Sequence, residues 1–484
     1  MEDIMASITD LKPDLLWKHF DAIRQIPRCS KNEKAAGEYV LKYAQEKGFQ
    51  AKQDSAGNVV VQVPASQGHE NAPVIVLQGH LDMVCEKNSD KQFDFDKDAI
   101  EAIVDGDWVT ANGTTLGADN GIGVAAALSV AEDPSGQHGP LELLFTTDEE
   151  TGLNGATSIS GDSLEGRILI NLDSEEEGTF FIGCAGGGDT EIILPVKRNP
   201  ASHKKAFSMC LKGLRGGHSG IDIHTGRGNA IQLLARMLNH LKVDFELVSL
   251  TGGSKHNAIP REAFATLLCD EEAEMKEQLH ASLKEIQFEY KVVEKEIALD
   301  IQSAKSNPDN PLRTEDQARL INCLIGLPHG VMAMSQEISG LVETSNNLAI
   351  VNNASDELMI YTSSRSSILS ALEATRQKIE AIASLAGARV NHLMGYPAWT
   401  PNLNSAILKT MKEIHKNVTG KEAKVEAIHA GLECGIIGEK FEGMDMISLG
   451  PDLQNPHSPD ERVHIDSVAR FYKLLQKTLE ALAK

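Results

Sequence analysis

No uninterrupted apolar run in these 484 residues is long enough to cross a bilayer, so no membrane-spanning helix is expected. Positive charge is scarce: 46 Lys and Arg stand against 69 Asp and Glu, a formal net charge of -23. Such a surface repels nucleic-acid phosphates and anionic membranes, which removes both from the expected partners. Cysteine is sparse too. The seven cysteines are scattered, odd in number and contain no Cys-x-x-Cys. That argues for reduced thiols in a cytoplasm, against a disulfide framework, and against zinc held by thiolates. The start, Met1-Glu2-Asp3-Ile4-Met5, has neither the basic residues nor the apolar stretch of a secretory leader. The helix signature His-Glu-x-x-His and the nucleophile turn Gly-x-Ser-x-Gly are both missing. Repeats at solenoid periods and low-complexity tracts are absent as well.

What is present centres on one stretch, Leu141-Glu142-Leu143-Leu144-Phe145-Thr146-Thr147-Asp148-Glu149-Glu150-Thr151-Gly152. An apolar run reads as a strand entering a core, and three carboxylates follow where that strand ends. Adjacent acids repel one another and are costly to bury without compensation, for which a cation is the usual source. On extended backbone Glu149 and Glu150 point in different directions, so one can hold a metal while the other faces the attacking water. A solvated acidic loop is the bland alternative for this stretch alone.

The flanking sequence repeats the pattern. Helices are expected over Leu15 to Ile26 and, capped by Asn32, up to Gly48, followed by a strand over Asn58 to Val63. The run Val74 to Leu77 reads as a strand buried on both faces and delivers His80 and Asp82 at its carboxyl end. Residues 86–112 are polar and read as a surface loop. Their Asp94, Asp96 and Asp98 lack the Gly and Glu offsets of a calcium loop. Asp119, in Leu116-Gly117-Ala118-Asp119-Asn120-Gly121, stands where a helix N-cap belongs, and capping is its bland reading. A strand from Arg167 to Leu172 ends in Asp173. Cys184-Ala185-Gly186-Gly187-Gly188 reads as a hinge. Beyond it, alternating strands, the charged helix Glu272 to Lys295 and loops such as Ser306-Asn307-Pro308 form an insert up to about Tyr396-Pro397. The first pattern then resumes with a helix over Asn404 to His415 and strands at Lys424 to Ile428 and Met444 to Leu449. A proline-rich loop presenting His457 and a last helix over Ile465 to Leu482 complete the chain. The expected fold is α/β: a catalytic domain with a mixed β-sheet flanked by helices, residues 1–186 and 399–484, interrupted by an inserted α+β lid domain, residues 187–398.

His80, Asp82, Asp119, Glu149, Glu150, Asp173 and His457 thus all sit at strand ends or in loops beside them. Mixed histidine and carboxylate ligands without thiolate suit zinc, or cobalt and manganese in its place. At these residues the chain resembles the co-catalytic zinc peptidases of the aminoacylase and carboxypeptidase G type, more closely their aminoacyl-histidine (Xaa-His) dipeptidase branch. The resemblance is carried in order by Gly79-His80-Leu81-Asp82-Met83-Val84, Leu116-Gly117-Ala118-Asp119-Asn120-Gly121, Asp148-Glu149-Glu150-Thr151-Gly152 and Asn171-Leu172-Asp173. His429-Ala430-Gly431-Leu432-Glu433-Cys434-Gly435 and Pro456-His457-Ser458 complete it.

The resemblance implies two zinc ions per chain, with Co2+ or Mn2+ as substitutes. Asp119 would bridge them, His80 and Asp173 would complete one set of ligands, and Glu150 and His457 the other. Asp82 would orient His80. Glu149 would be the general base that takes a proton from the attacking water and passes it to the leaving amine. In the lid, His218 of Gly216-Gly217-His218-Ser219-Gly220 would stabilise the oxyanion. Asn257 and Arg365 would hold the substrate carboxylate, a task suited to the guanidinium fork. Gly431 and Glu433 would line the substrate site. As bland readings, His218 and Asn257 could be turn residues and Arg365 a surface ion-pair partner. His138, His224, His329, His392 and His464 are left as surface or packing residues. The function implied is a cytoplasmic di-zinc dipeptidase preferring Xaa-His substrates, β-alanyl-histidine among them. Its partners are a small dipeptide and, where surfaces allow, a second copy in a homodimer. An amide hydrolase acting on N-acyl amino acids or tripeptides is one alternative, and a non-catalytic metal-binding regulator is the other. The two halves of the insert share a strand-and-helix style without clear identity, so an internal duplication is expected to serve the metals of the same chain.

Overall fold

The computed structural model describes residues 7–304, 310–353 and 356–484. The acidic start and the Ser306-Asn307-Pro308 loop lie outside the described residues. By contacts the chain divides into two compact units: residues 1–183, 401–427 and 432–484, and residues 184–400 with 428–431. The segment 428–431, expected with the C-terminal part of the catalytic domain, packs instead within the second unit. There the Ala185 N–H donates to the Ile428 carbonyl at 3.0 Å, and His429 Nε2 lies 2.7 Å from Ser345 Oγ.

The first unit is built on an eight-stranded sheet in the order Gln50–Gln53, Val59–Val63, Leu141–Thr146, Ile75–His80, Ile168–Asn171, Asp445–Ser448, Thr179–Cys184, Lys424–Ile428. The four strands from Leu141–Thr146 to Asp445–Ser448 run parallel to one another. Every residue of Leu141–Thr146 and Ile75–His80 is buried, as strands covered on both faces require. One cover is the helix Ala118–Glu132, buried along Ile122 to Val130 and packed on the helix Asp14–Arg24 and on Ile75–His80. A helix this apolar on every side belongs in a core. The parallel strands therefore deliver their carboxyl ends together on one edge, where open α/β sheets form sites.

Several local expectations are corrected. The second helix spans Lys34–Lys47 with Glu33, not Asn32, at its N-cap position, and Gly48 ends it at φ +76°. The polar stretch 86–112 is not all loop: Ala102–Asp105 and Trp108–Ala111 pair as a hairpin extended by Arg462–His464 and Leu453–Gln454. Asp119 has the extended backbone that a cap residue has (φ -82°, ψ 112°), but its carboxylate oxygens face His80 and His457 rather than the amides of the helix. The expected thiols are also not all reduced. Cys29 and Cys85 are joined in a disulfide with Cα atoms 5.6 Å apart. Cys29 bridges in parallel to Met83, so distant segments run side by side, and a separation of 56 residues gave no sequence cue.

The second unit holds a nine-stranded sheet whose main path is Ala298–Ser303, Ala206–Lys212, Ala263–Leu268, Glu246–Gly252, Val342–Asn353, Glu357–Ser366, Gly186–Pro195, Arg389–His392. It resolves into two βαββαβ modules. One runs from Ala206 to Ser303 with helices Ala230–His240 and Glu272–Glu289. The other starts with Gly186–Pro195 and resumes at the helix Thr314–Gly326, ending after the helix Leu369–Leu385 and the strand Arg389–His392. In each module the fourth strand pairs with the first, the first with the third and the third with the second, all antiparallel. The second strands of the two modules join them through Gly252 and Val351. The halves of the insert are thus equivalent in topology despite unlike sequences. The glycine run read as a hinge lies in extended strand. A Cβ at Gly187 would stand 2.5 Å from Tyr396 Cζ, and this close approach accounts for the missing side chain.

Candidate metal centre

Within the first unit the parallel strands bring His80, Asp82, Glu149, Glu150, Asp173 and His457 together with Asp119. Two groups form around Asp119. His80 Nε2 lies 3.1 Å from Asp119 Oδ1 and 3.3 Å from Asp173 Oδ1. His457 Nε2 lies 3.1 Å from Asp119 Oδ2 and 3.0 Å from Glu150 Oε2. Single ligand atoms of His80, Asp119 and Glu150 all fall within 4.8 Å of one another. Four of these side chains are largely buried, and His457 is half exposed.

The donor set fits divalent cations. Glu150 Oε1 and Asp173 Oδ1 are buried and accept no hydrogen bond, a costly state that a cation relieves. Ligand atoms about 2.0–2.2 Å from a tetrahedral zinc stand about 3.4 Å apart, close to the separations within each group. A second acidic cluster, Glu33, Asp82 and Asp148, makes an instructive contrast. Its carboxylates are already served: Glu33 accepts from the Lys31 and Asp148 amides. Asp82 accepts from the Glu149 and Glu150 amides at 3.0 and 3.2 Å and from Ser30 Oγ at 2.8 Å. Asp82 also faces His80 Nδ1 at 3.3 Å, which turns Nε2 toward Asp119 and Asp173. One carboxylate thus orients a histidine and holds the backbone of both acids.

Protonation follows from burial and charge. Burial raises Glu149 well above the usual carboxylate range, opposed by His80 and reinforced by Asp173, Glu433 and Glu150. Burial likewise lifts Asp173 to about 6 and Glu433 to about 7. For Asp119 burial acts in the same sense, but hydrogen bonds from His457 and His80 outweigh it and hold the carboxyl low. His457 is raised to about 11, chiefly by its bonds to Asp119 and Glu150. Glu433 takes Gln78 Nε2 at 2.6 Å and Thr146 Oγ1 at 2.7 Å on one oxygen, while its other oxygen is buried without a partner.

In the second unit, His218 pairs with Ala258 in a two-stranded ladder, and the Ser219 N–H donates to the Asn257 carbonyl at 2.9 Å. The amides of Gly220 and Ile221 donate to His218 Nδ1 at 3.2 and 3.1 Å. The proton of the neutral ring is therefore on Nε2. Burial, and after it Arg365, lowers the affinity of His218 for a second proton. Arg365 is buried, not a surface ion-pair partner, and donates to Tyr396 Oη at 2.6 Å. Gly431 lies against the same tyrosine, whose ring a Cβ there would approach to 2.7 Å. Among the histidines set aside, His464 caps the last helix, and His138 is buried with Nδ1 2.7 Å from the Gly139 carbonyl oxygen.

Sequence reasoning missed two residues at the metal centre. Arg28, 1% exposed, donates through Nη1 to the Leu81 and Asp82 carbonyls at 3.0 and 2.7 Å and through Nη2 to the Gly117 carbonyl. Glu461, 2% exposed, accepts from the amides of residues 116–119. Their partners are backbone groups, which leave no trace in residue type.

The profile of peptidase family M20/M25/M40 matches residues 76–481. The chain belongs to this peptidase family. It is similar to the cytosol non-specific dipeptidase of Escherichia coli (strain K12), 41% identical over 484 residues and covering 99% of both chains. It is also similar in structure to the aminoacylhistidine dipeptidase of Vibrio alginolyticus, with a TM-score of 0.91, 40% identity and 99% of each chain covered. A Staphylococcus aureus tripeptidase shares the fold at a TM-score of 0.56 and 17% identity, covering 98% of this chain and 99% of its own. As an M20/M25/M40 member the chain is a hydrolase of α/β fold, and no helix among its described residues is long and apolar enough to cross a membrane.

Proposed function

We propose that the chain is a two-metal dipeptidase whose first unit is catalytic and whose second unit is a substrate-binding lid. The observation that carries this reading is Asp119 offering one oxygen to the His80 and Asp173 group and the other to the His457 and Glu150 group. Bound there, two zinc ions (or cobalt or manganese) would polarise the scissile carbonyl, acidify the attacking water and offset the carboxylate charge that raises Glu149. Glu149 accepts the proton of that water and returns it to the leaving amine, a role its burial favours. His218, with its proton on Nε2, donates to the oxyanion. Arg365 and Asn257 receive the C-terminal carboxylate, and the unpartnered oxygen of Glu433 receives a free amino group.

The dipeptide class is supported by the two relatives that share about two-fifths of their residues with this chain, named as dipeptidases. A preference for Xaa-His rests on the resemblance and on the name of the Vibrio protein. Cytoplasmic residence is supported by the name of the Escherichia coli relative. The Cys29–Cys85 bond stands against it, since a reducing cytoplasm opposes structural disulfides. A hydrolysis screen across Xaa-His, Xaa-Ala and N-acetyl amino acids with zinc, cobalt and manganese tests the whole reading. Dipeptides should be cleaved and N-acetyl amino acids spared, and the reverse ranking removes it.

A further inference from the structure

Glu461 ends the loop that presents His457, four residues earlier. Its Oε2 accepts from the Leu116 and Gly117 amides at 2.7 and 3.0 Å, and its Oε1 from the Ala118 and Asp119 amides at 2.8 and 3.2 Å. Four consecutive N–H groups, the last belonging to Asp119, therefore converge on one buried carboxylate. This exceeds helix capping, which satisfies one or two amides of a first turn. Asp119 and Asn120 depart from helical backbone angles, so these amides lie at or before a kink in the helix start, which one bond, Gly121 N–H to the Gly117 carbonyl at 3.2 Å, ties to the regular helix. The stretch is gripped from its carbonyl side as well, by Arg28 on Gly117. Glu461 is fixed in turn by its own backbone: its N–H donates to the Ser458 carbonyl at 3.0 Å, and Thr110 Oγ1 donates to its carbonyl at 2.9 Å.

We infer that Glu461 is a positioning residue that sets Asp119 and His457 at the separation their shared metal requires. The inference rests on the two-metal reading. Asp119 and His457 come from remote parts of the chain, and the His457 loop adopts φ +60° at His457 and +54° at Asn455, conformations that need outside support. Glu461 is the group tied to both: covalently to the His457 loop, and by four hydrogen bonds to the Asp119 loop.

The test is Glu461→Gln, whose amide turns a donor toward two of the four N–H groups. Zinc affinity is measured by competition with a chromophoric chelator, kcat and KM are measured at saturating zinc, and thermal unfolding is followed without metal. Zinc affinity should fall about 10–100-fold, the range for residues that orient ligands. The fall should come with a lowered kcat and a dipeptide KM within about threefold of wild type, a pattern that merely lowered stability does not produce. Glu461→Asp, which keeps both oxygens on a shorter arm, should recover part of the affinity. It also serves as the test variant if Glu461→Gln does not fold. Zinc affinity within about twofold of wild type in a folded variant overturns the inference, even if the melting temperature drops. Wild-type chain that takes up no metal overturns the two-metal reading and this inference with it, whereas an effect confined to the variants concerns Glu461 alone.

Discussion

Asp119 turns its two carboxylate oxygens to two different histidines, Oδ1 to His80 Nε2 and Oδ2 to His457 Nε2, each at 3.1 Å. Shared in this way, one carboxylate can serve two ions. Chain loaded with zinc and freed of excess should hold about two equivalents by elemental analysis, the stoichiometry of a two-metal site. Asp119→Asn should fall to about one equivalent or less. A folded wild-type chain with reproducibly no metal would sink the site.

Glu149 and Glu150 are neighbours with separate tasks. Glu150 Oε2 lies 3.0 Å from His457. Burial raises Glu149 well above the usual carboxylate range. Glu149→Gln should lower kcat by roughly two to four orders of magnitude, the usual span for a general base, and leave metal content nearly unchanged. Glu150→Gln should lose metal. The opposite pairing of phenotypes would show that the roles are exchanged.

Part of this candidate centre was legible in the sequence because His80, Glu150 and Asp173 stand at or just after strands whose apolar runs announce themselves. Ile75–His80 and Leu141–Thr146 are buried at every position, and their continuous hydrophobicity marked both strands and their carboxyl ends. The supports were illegible. Glu461 and Arg28 act on backbone amides and carbonyls, and any sequence supplies those groups at every position. Capping is the bland reading of Asp119 because Asp at a helix start is common, and its extended backbone fits a cap; only the fold brings His80 and His457 to its two oxygens. The hairpin Ala102–Asp105 and Trp108–Ala111 was hidden because its strands are short and partly exposed. The twin modules of the second unit agree in topology, and hydrophobic patterning records only element type.

Arg365 is buried, and its Nε has no hydrogen-bond partner. A buried guanidinium with spare donors suits a carboxylate. Xaa-His should therefore be hydrolysed with a higher kcat/KM than its C-terminal amide, by about tenfold or more if one charge-assisted bond of about 1.5–3 kcal/mol is lost. Arg365→Lys should narrow that difference, since an ammonium cannot reproduce the fork. Equal specificity constants for acid and amide in the wild type would take Arg365 and Asn257 out of the substrate site.

His329 makes acid stability testable in the second unit, away from the metal ligands. Asn229 Nδ2 stands 3.2 Å from its Nδ1, where a neutral ring can accept, and burial lowers the affinity of the ring for a proton to a pKa of about 4. The unfolded chain binds that proton near the ordinary value of about 6.5. Between these values the unfolded state holds more protons, so stability rises with pH. The contribution is complete above about 6.5 and is lost as pH falls toward about 4. At pH 5 the loss amounts to about 2 kcal/mol, from about 1.5 pH units at 1.36 kcal/mol each. Urea unfolding of wild type and His329→Gln at pH 7.5 and pH 5 isolates this group, because other titrating residues act on both proteins alike. The variant should lose less stability on acidification by about that amount, whatever its stability at pH 7.5. Parallel losses in the two proteins would mean that His329 keeps an ordinary proton affinity in the fold, and that its bond to Asn229 does not discriminate against the charged ring.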